Sequence, residues 1–214
     1  MRNLLVIALA FLTIACSRGE RAVNHADWLK ESTRIWPGES KARVIAAAEA
    51  VVKHSDPGDI SVEYNRSGFV ARRKFFIYAV LATAEGEDRW TFSANENSEG
   101  ASAALRVIQR GSTRSGNFSD RFRENQTFLG GFRLFYARID YLLGRRTDWV
   151  ACKDAAAKLA LPQDAPGLNT LCSLTHQGAD QPPPLRLVNA TKAGKNLAKA
   201  LPEPPQISAT EDID

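Results

Sequence analysis

Hydrophobic positions along the chain fall first into one unbroken run, then into helical spacing, then into alternation, and return to helical spacing before the pattern lapses. In "NHADWLKESTRIWPG", Trp28, Leu29, Ser32, Ile35 and Trp36 lie near one helical face and Pro37 ends the run, which predicts a short amphipathic helix. It either packs on the domain or lies in a membrane interface, where Trp is favoured. A second helix starts at an N-cap, Ser40, carries Val44, Ile45, Ala48, Val51 and Val52 on one face, and stops before "SDPGD".

Alternation follows. "ISVEY", then "FVARRKFFIYAVLATA" after the turn "NRSG", then "RWTFSA" after a turn at "EGED", predict an antiparallel meander, with "SAALRVIQR" as a less distinct fourth strand. The long second strand has Phe75, Ile77, Ala79 and Leu81 on one face and Phe76, Tyr78, Val80 and Ala82 on the other. Either one apolar face is left open for interaction, or helices cover both faces, or part of the run is helical.

Helical spacing is strongest in "TFLGGFRLFYARIDYLLGRR", where Phe128, Phe132, Phe135, Tyr136, Ile139, Leu142 and Leu143 form one stripe and Gly144 is placed to end it. A meander needs one covered face, and this helix supplies the cover. "TDWVACKDAAAKLALP" reads as an Ala-rich helix capped at Thr147 or Asp148. The fold class is therefore α+β: a three- or four-stranded antiparallel meander under an aromatic-rich helix, followed by a C-terminal helical segment. From His176 the text turns to Pro, Ala, Lys and acidic residues without aromatics, the composition of a disordered tail over 176–214.

The opening run, "LLVIALAFLTIA" after Met1, Arg2 and Asn3, has about a dozen apolar residues, short of the roughly 20 that span a bilayer, and reads as a secretory signal peptide over 1–15. Its end, Ala15 followed by Cys16, resembles the lipobox of bacterial lipoproteins, whose cysteine is diacylated and becomes the mature N-terminus. The family usually has Leu three residues before the cysteine; here Thr13 stands there and Leu12 one place earlier. Thr13, Ile14 and Ala15 also suit general signal peptidase, so both routes stay open. The resemblance covers only the targeting segment. It implies lipidation at Cys16, the start of a tether over 16–36, and a periplasm-facing envelope location; length and composition separately predict a single domain over 37–175. Ser17 belongs to the residue class that permits sorting to the outer membrane.

Three cysteines are an odd number for an exported protein, and acylation of Cys16 leaves Cys152 and Cys172 as a pair for a disulfide. They lack a CxxC or HxxxH partner, too few ligands for tetrahedral zinc, and no cofactor motif is present. With 28 Lys and Arg against 24 Asp and Glu the chain is only mildly basic, and it has no stacking motif that would name nucleic acid as a partner. The suggestive charge is local. "LRVIQRGSTRSGNFSDRFRENQ" holds Arg106, Arg110, Arg114, Arg121 and Arg123 around Gly, Ser and Asn, which reads as a long basic surface loop suited to phosphate or carboxylate.

No GxSxG, HExxH or Walker pattern occurs, and no cysteine is paired with a base by sequence context. The expected function is a non-catalytic, lipid-anchored interaction or assembly component of the envelope, with a membrane and an envelope protein as partners, and an anionic lipid or cell-wall polymer as a further candidate. The alternatives are a small-ligand or polysaccharide-binding module and an enzyme using carboxylates such as Glu49 or Glu63. Mass spectrometry of the mature N-terminus is expected to show a diacylglyceryl group on Cys16; an unmodified thiol there in membrane-free protein would contradict the lipoprotein reading.

Overall fold

In a computed structural model the described residues are 24–79, 81–125, 129–161, 171–172 and 180–184; Cys16 and the signal segment lie outside them. The elements run α1 (His25–Ser32), β1 (Thr33–Pro37), α2 (Lys41–Ser55), β2 (Ile60–Asn65), β3 (Gly68–Ala79), β4 (Ala82–Asn97), β5 (Gly100–Ser115), β6 (Phe118–Asn125) and α3 (Leu129–Leu142). A 3-10 turn, Cys152–Asp154, leads into the short α4 (Ala155–Lys158). The class is α+β, but the antiparallel sheet has six strands, not three or four, in the order β1-β5-β4-β3-β2 with β6 also on β5.

Two of the extra strands come from segments with a different expected structure. Thr33–Pro37 continues no helix. Thr33 Oγ1 donates to the carbonyl of Leu29 at 2.7 Å, closing α1, and the chain then pairs with the start of β5, Trp36 opposite Ala101. Trp36 is fully buried while Ile35 beside it is 62% exposed, the alternation of a strand edge and not of a helix face. The basic segment 106–123 is not a loop: it forms the second half of β5 and most of β6, joined at a tight turn where Gly116 takes φ of 57°.

The long apolar strand is also divided. β3 ends at Ala79 and β4 begins at Ala82, so the reversal sits near Leu81, whereas Glu85, Gly86, Glu87 and Asp88, expected as a turn, lie mid-strand between β3 and β5. Pairs across the sheet account for this: Asp88 accepts from Arg73 at 2.5 Å and from Gln109 at 2.9 Å, and Glu87 accepts from Arg110 at 3.0 Å.

Strand alternation puts Phe69, Ala71, Trp90, Phe92, Leu105 and Val107 on one face, all buried. α2 and α3 cover that face. Ser40 caps α2 by accepting from the Arg43 amide, and Val44, Ala47, Ala48, Val51 and Val52 are fully inside. On α3, Phe135 meets Trp90 and Phe92 with ring centroids 5.9 Å apart in each case, and Tyr136 meets Trp36 at 5.6 Å. Phe128, the first residue of the expected stripe, lies outside the described residues. α1 packs on α3 through Trp28 against Phe132 and through Glu31, which accepts from Arg133 at 2.6 Å.

The C-terminal segment is less helical than its alanines suggest. Asp148 caps nothing; it accepts from Arg146 and Lys158, while Trp149 and Val150 run non-helically into the interior. The attraction there is Arg138, fully buried on α3. Its guanidinium donates to the carbonyls of Val150 (3.1 Å) and Leu171 (3.3 Å), contacts Cys152 Sγ at 3.3 Å and lies 4.7 Å from the Trp149 ring centroid. Desolvation lowers its pKa to about 10, partly offset by Asp180. Cys152 and Cys172 form a disulfide with Cα atoms 5.8 Å apart. Of the stretch expected as a tail, Asp180 accepts from the Cys152 amide at 2.6 Å, and the Gln181 carbonyl lies 2.7 Å from His54 Nε2.

Removing Arg138 leaves these carbonyls without their donor in a dry site. Arg138→Ala is expected to lower the unfolding free energy by about 3 kcal/mol or more. Denaturant titration checks this; a loss below about 1 kcal/mol would mean that the segment is held without the guanidinium.

Candidate functional site

The sheet has a second face. Residues opposite one another in an antiparallel pair point the same way, so the register assigns each strand residue to a side. Arg106, Arg110 and Arg114 stand on β5 opposite Thr91, Glu87 and Thr83, and Arg121 and Arg123 stand on β6 opposite Ser112 and Arg110. All five arginines therefore lie on the face away from Trp90, Phe92, Leu105 and Val107. Among the described residues no helix packs on it.

Three further cations share this side: Arg72 from β3 and Arg89 from β4, opposite one another, and Lys74 from β3, opposite Glu87. Sequence reading missed them because they sit in "ARRKFF" and "EDRW", where only parity and register reveal the side they take. Eight Lys and Arg thus face Glu63, Glu85 and Glu87. Two of the glutamates are ion-paired, Glu63 with Arg72 at 2.5 Å and Glu87 with Arg110 at 3.0 Å, while Glu85 accepts from the Ser112 hydroxyl at 3.4 Å; both ion pairs are exposed enough to contribute little to stability. The surplus is a positive field on a solvated sheet face.

Beyond the helices the four strands β3 to β6 continue as an arm, with Phe75, Gly86, Gly111 and Phe122 in one row. The two phenylalanine rings stack at 6.5 Å across the paired glycines. A Cβ at Gly86 would lie 2.6 Å from the Phe75 ring and 2.2 Å from the Arg110 carbonyl oxygen; one at Gly111 would meet Phe122 at 2.9 Å and the Glu85 carbonyl oxygen at 2.2 Å. Only glycine allows the strands and rings this close. The same stretch holds an open groove of about 730 Å³, whose charged lining is Lys74, Arg110, Arg121 and Arg123 with Glu85 and Glu87. Three of the five sequence-selected arginines meet there; Arg106 and Arg114 lie on the same face outside it.

The carboxylates suggested for acid–base chemistry do not converge. Glu63 is on the basic face with Arg72, whereas Glu49 belongs to α2, pairs with Lys53 at 2.6 Å and interacts with Tyr64. Burial, and then the hydrogen bond to Glu49, pushes the Tyr64 phenol above its ordinary range, leaving it a neutral donor. Among the described residues no group of three or more His, Cys, Asp or Glu side chains is placed to hold a metal ion, and no helix is long and apolar enough to cross a membrane. Comparison of the chain with protein-family models, curated proteins and solved structures finds no match.

Proposed function

We propose that this chain is a non-catalytic interaction component of the cell envelope, lipid-anchored at Cys16, which engages an anionic envelope partner through the basic sheet face. The observation that carries the reading is the shared side of Arg106, Arg110, Arg114, Arg121 and Arg123, joined there by Arg72, Lys74 and Arg89. Guanidinium groups grip phosphate and carboxylate bidentately, and a row of them on stiff strands presents fixed donors that a flexible loop would have to order at an entropic cost. The lipobox resemblance supports a periplasm-facing location, and Ser17 after the cysteine favours the outer over the inner membrane.

A second reading, a module for a small anionic ligand or polysaccharide, is favoured by the groove around Lys74, Arg110, Arg121 and Arg123. Its openness suits a polymer or a surface better than a ligand that must be enclosed, since small-molecule sites usually bury most of their ligand.

The variant Arg110→Gln, Arg114→Gln, Arg121→Gln should lower association with isolated envelopes by about tenfold or more at low salt, at roughly 1 kcal/mol per basic residue near an anionic surface. The difference should shrink as salt is raised, because screening cuts such attraction to a range of about 8 Å at physiological ionic strength. Each exposed substitution should change stability by no more than about 0.5 kcal/mol. Unchanged association at low salt would overturn the assignment of this face.

A further inference from the structure

We infer that the free end of the β3–β6 arm inserts into the interfacial layer of an anionic lipid bilayer. The inference rests on the proposed function and specifies its partner as a lipid surface. Seven large hydrophobic side chains are exposed among the described residues, and five of them are on this arm: Phe76 (66%), Ile77 (56%), Tyr78 (73%), Leu81 (83%) and Phe118 (84%). The register brings them to one end. The last row is Ala79, Ala82, Ser115 and Phe118, and the ends of β3 and β4 and the turn at 116–117 close it.

Charge is graded along the arm. From Tyr78 to Thr83 and from Arg114 to Ser119 the only charged residue is Arg114. The next two rows bring Asp120, then Arg121 with Glu85, and Lys74, Arg110 and Arg123 follow with Glu87. At about 3.4 Å per residue, the end beyond the row of Phe76, Glu85 and Arg121, in which Asp120 and Arg114 are the charged residues, is roughly 10 Å deep. Amphipathic elements bury about 5–10 Å at the boundary between headgroups and acyl chains. With the tip at that depth, Arg121 sits at phosphate level and Lys74, Arg110 and Arg123 just outside it, while Arg114, two rows nearer the tip, reaches back toward the phosphates along its stem. Tyr78 is suited to the same boundary, with its ring inside and its hydroxyl toward water.

Two competing occupants fit less well. A membrane-spanning strand needs about 9–11 residues, whereas the arm runs only from Lys74 to Ala79 beyond the Arg73–Asp88 pair, so it dips and does not cross. Pairing of arm edges between two copies is opposed by charge: Asp120, Arg121, Arg123 and Glu124 line the outer strand β6, and Lys74 stands on β3 past the end of β2. Phe76, Ile77 and Tyr78 line the β3 edge past the end of β2, but pairing along that edge would leave Leu81 and Phe118 at the tip uncovered.

The test places one new tryptophan in the full chain, Leu81→Trp or Phe118→Trp, with Ser98→Trp at the opposite end of β4 as control and the signal of the native tryptophans subtracted. Vesicles of phosphatidylethanolamine and phosphatidylglycerol with brominated acyl chains serve as quencher. These sites are surface-exposed, so the substitutions leave the fold intact, which an unchanged melting curve verifies. The expected result is quenching and a blue shift at 81 and 118, neither at 98, and loss of both signals when Arg110, Arg114 and Arg121 are changed to Gln. Reporters at 81 and 118 that stay unquenched would overturn the inference; if the glutamine variant still weakens envelope association, the basic face keeps its anionic partner and only the lipid assignment fails. A blue shift that grows with protein concentration without vesicles would identify a second copy as the occupant and also overturn it. Equal quenching by phosphatidylcholine vesicles would overturn the requirement for anionic lipid.

Discussion

One antiparallel register runs unbroken through β3, β4 and β5 from the core to the end of the arm, and every other feature depends on its parity. It turns Trp90, Phe92, Leu105 and Val107 toward α2 and α3, and by the same alternation turns Arg89, Arg106 and Arg110 to solvent. A slip of one residue would exchange the two sets. Each large apolar side chain then exposed forfeits about 1.5–3 kcal/mol of burial, and each arginine brought inside incurs a desolvation cost. The basic face and the core are thus two consequences of one constraint, and neither can be shifted without the other.

The helical layer is tied to this sheet by polar anchors that tolerate little substitution. Asp140 on α3 accepts from the Trp36 indole and from Arg34 at 2.7 Å each, fixing β1 beneath the helix. Two residues earlier on the same helix, Arg138 gathers Val150, Leu171 and Trp149, and the disulfide closes the segment around it. Both groups are buried and fully engaged, the condition under which interior charge specifies an arrangement and does not merely weaken it. Arg73, Asp88 and Gln109 make a further polar node where the sheet leaves the cover of the helices and becomes the arm. An arm braced at its root holds its cations at fixed spacing.

Legibility followed the range of the forces involved. α2 and its Ser40 cap, β2, and the α3 stripe were readable because cap and period are local properties. The disulfide was readable from cysteine parity once Cys16 was set aside. The pieces that failed depend on partners far along the chain. Ile35 and Trp36 extend a helical pattern until β5 offers them hydrogen bonds, and Gly111 with its Ser and Thr neighbours reads as loop until β4 and β6 flank it. "EGED" has turn composition, yet Gly86 is required by the opposing Gly111 and not by a reversal. The arginines themselves were found in the sequence; that they share a side was not, because facing depends on a register that no local window contains.

The register itself is open to direct observation. Cross-strand proton contacts measured by nuclear magnetic resonance should connect Glu87 with Arg110 and Arg110 with Arg123, and, in the core, Trp90 with Val107. Contacts displaced by one residue, with Arg110 opposite Gly86 and Phe122, would place the arginines on the side of the helices and contradict the account of both the core and the basic face.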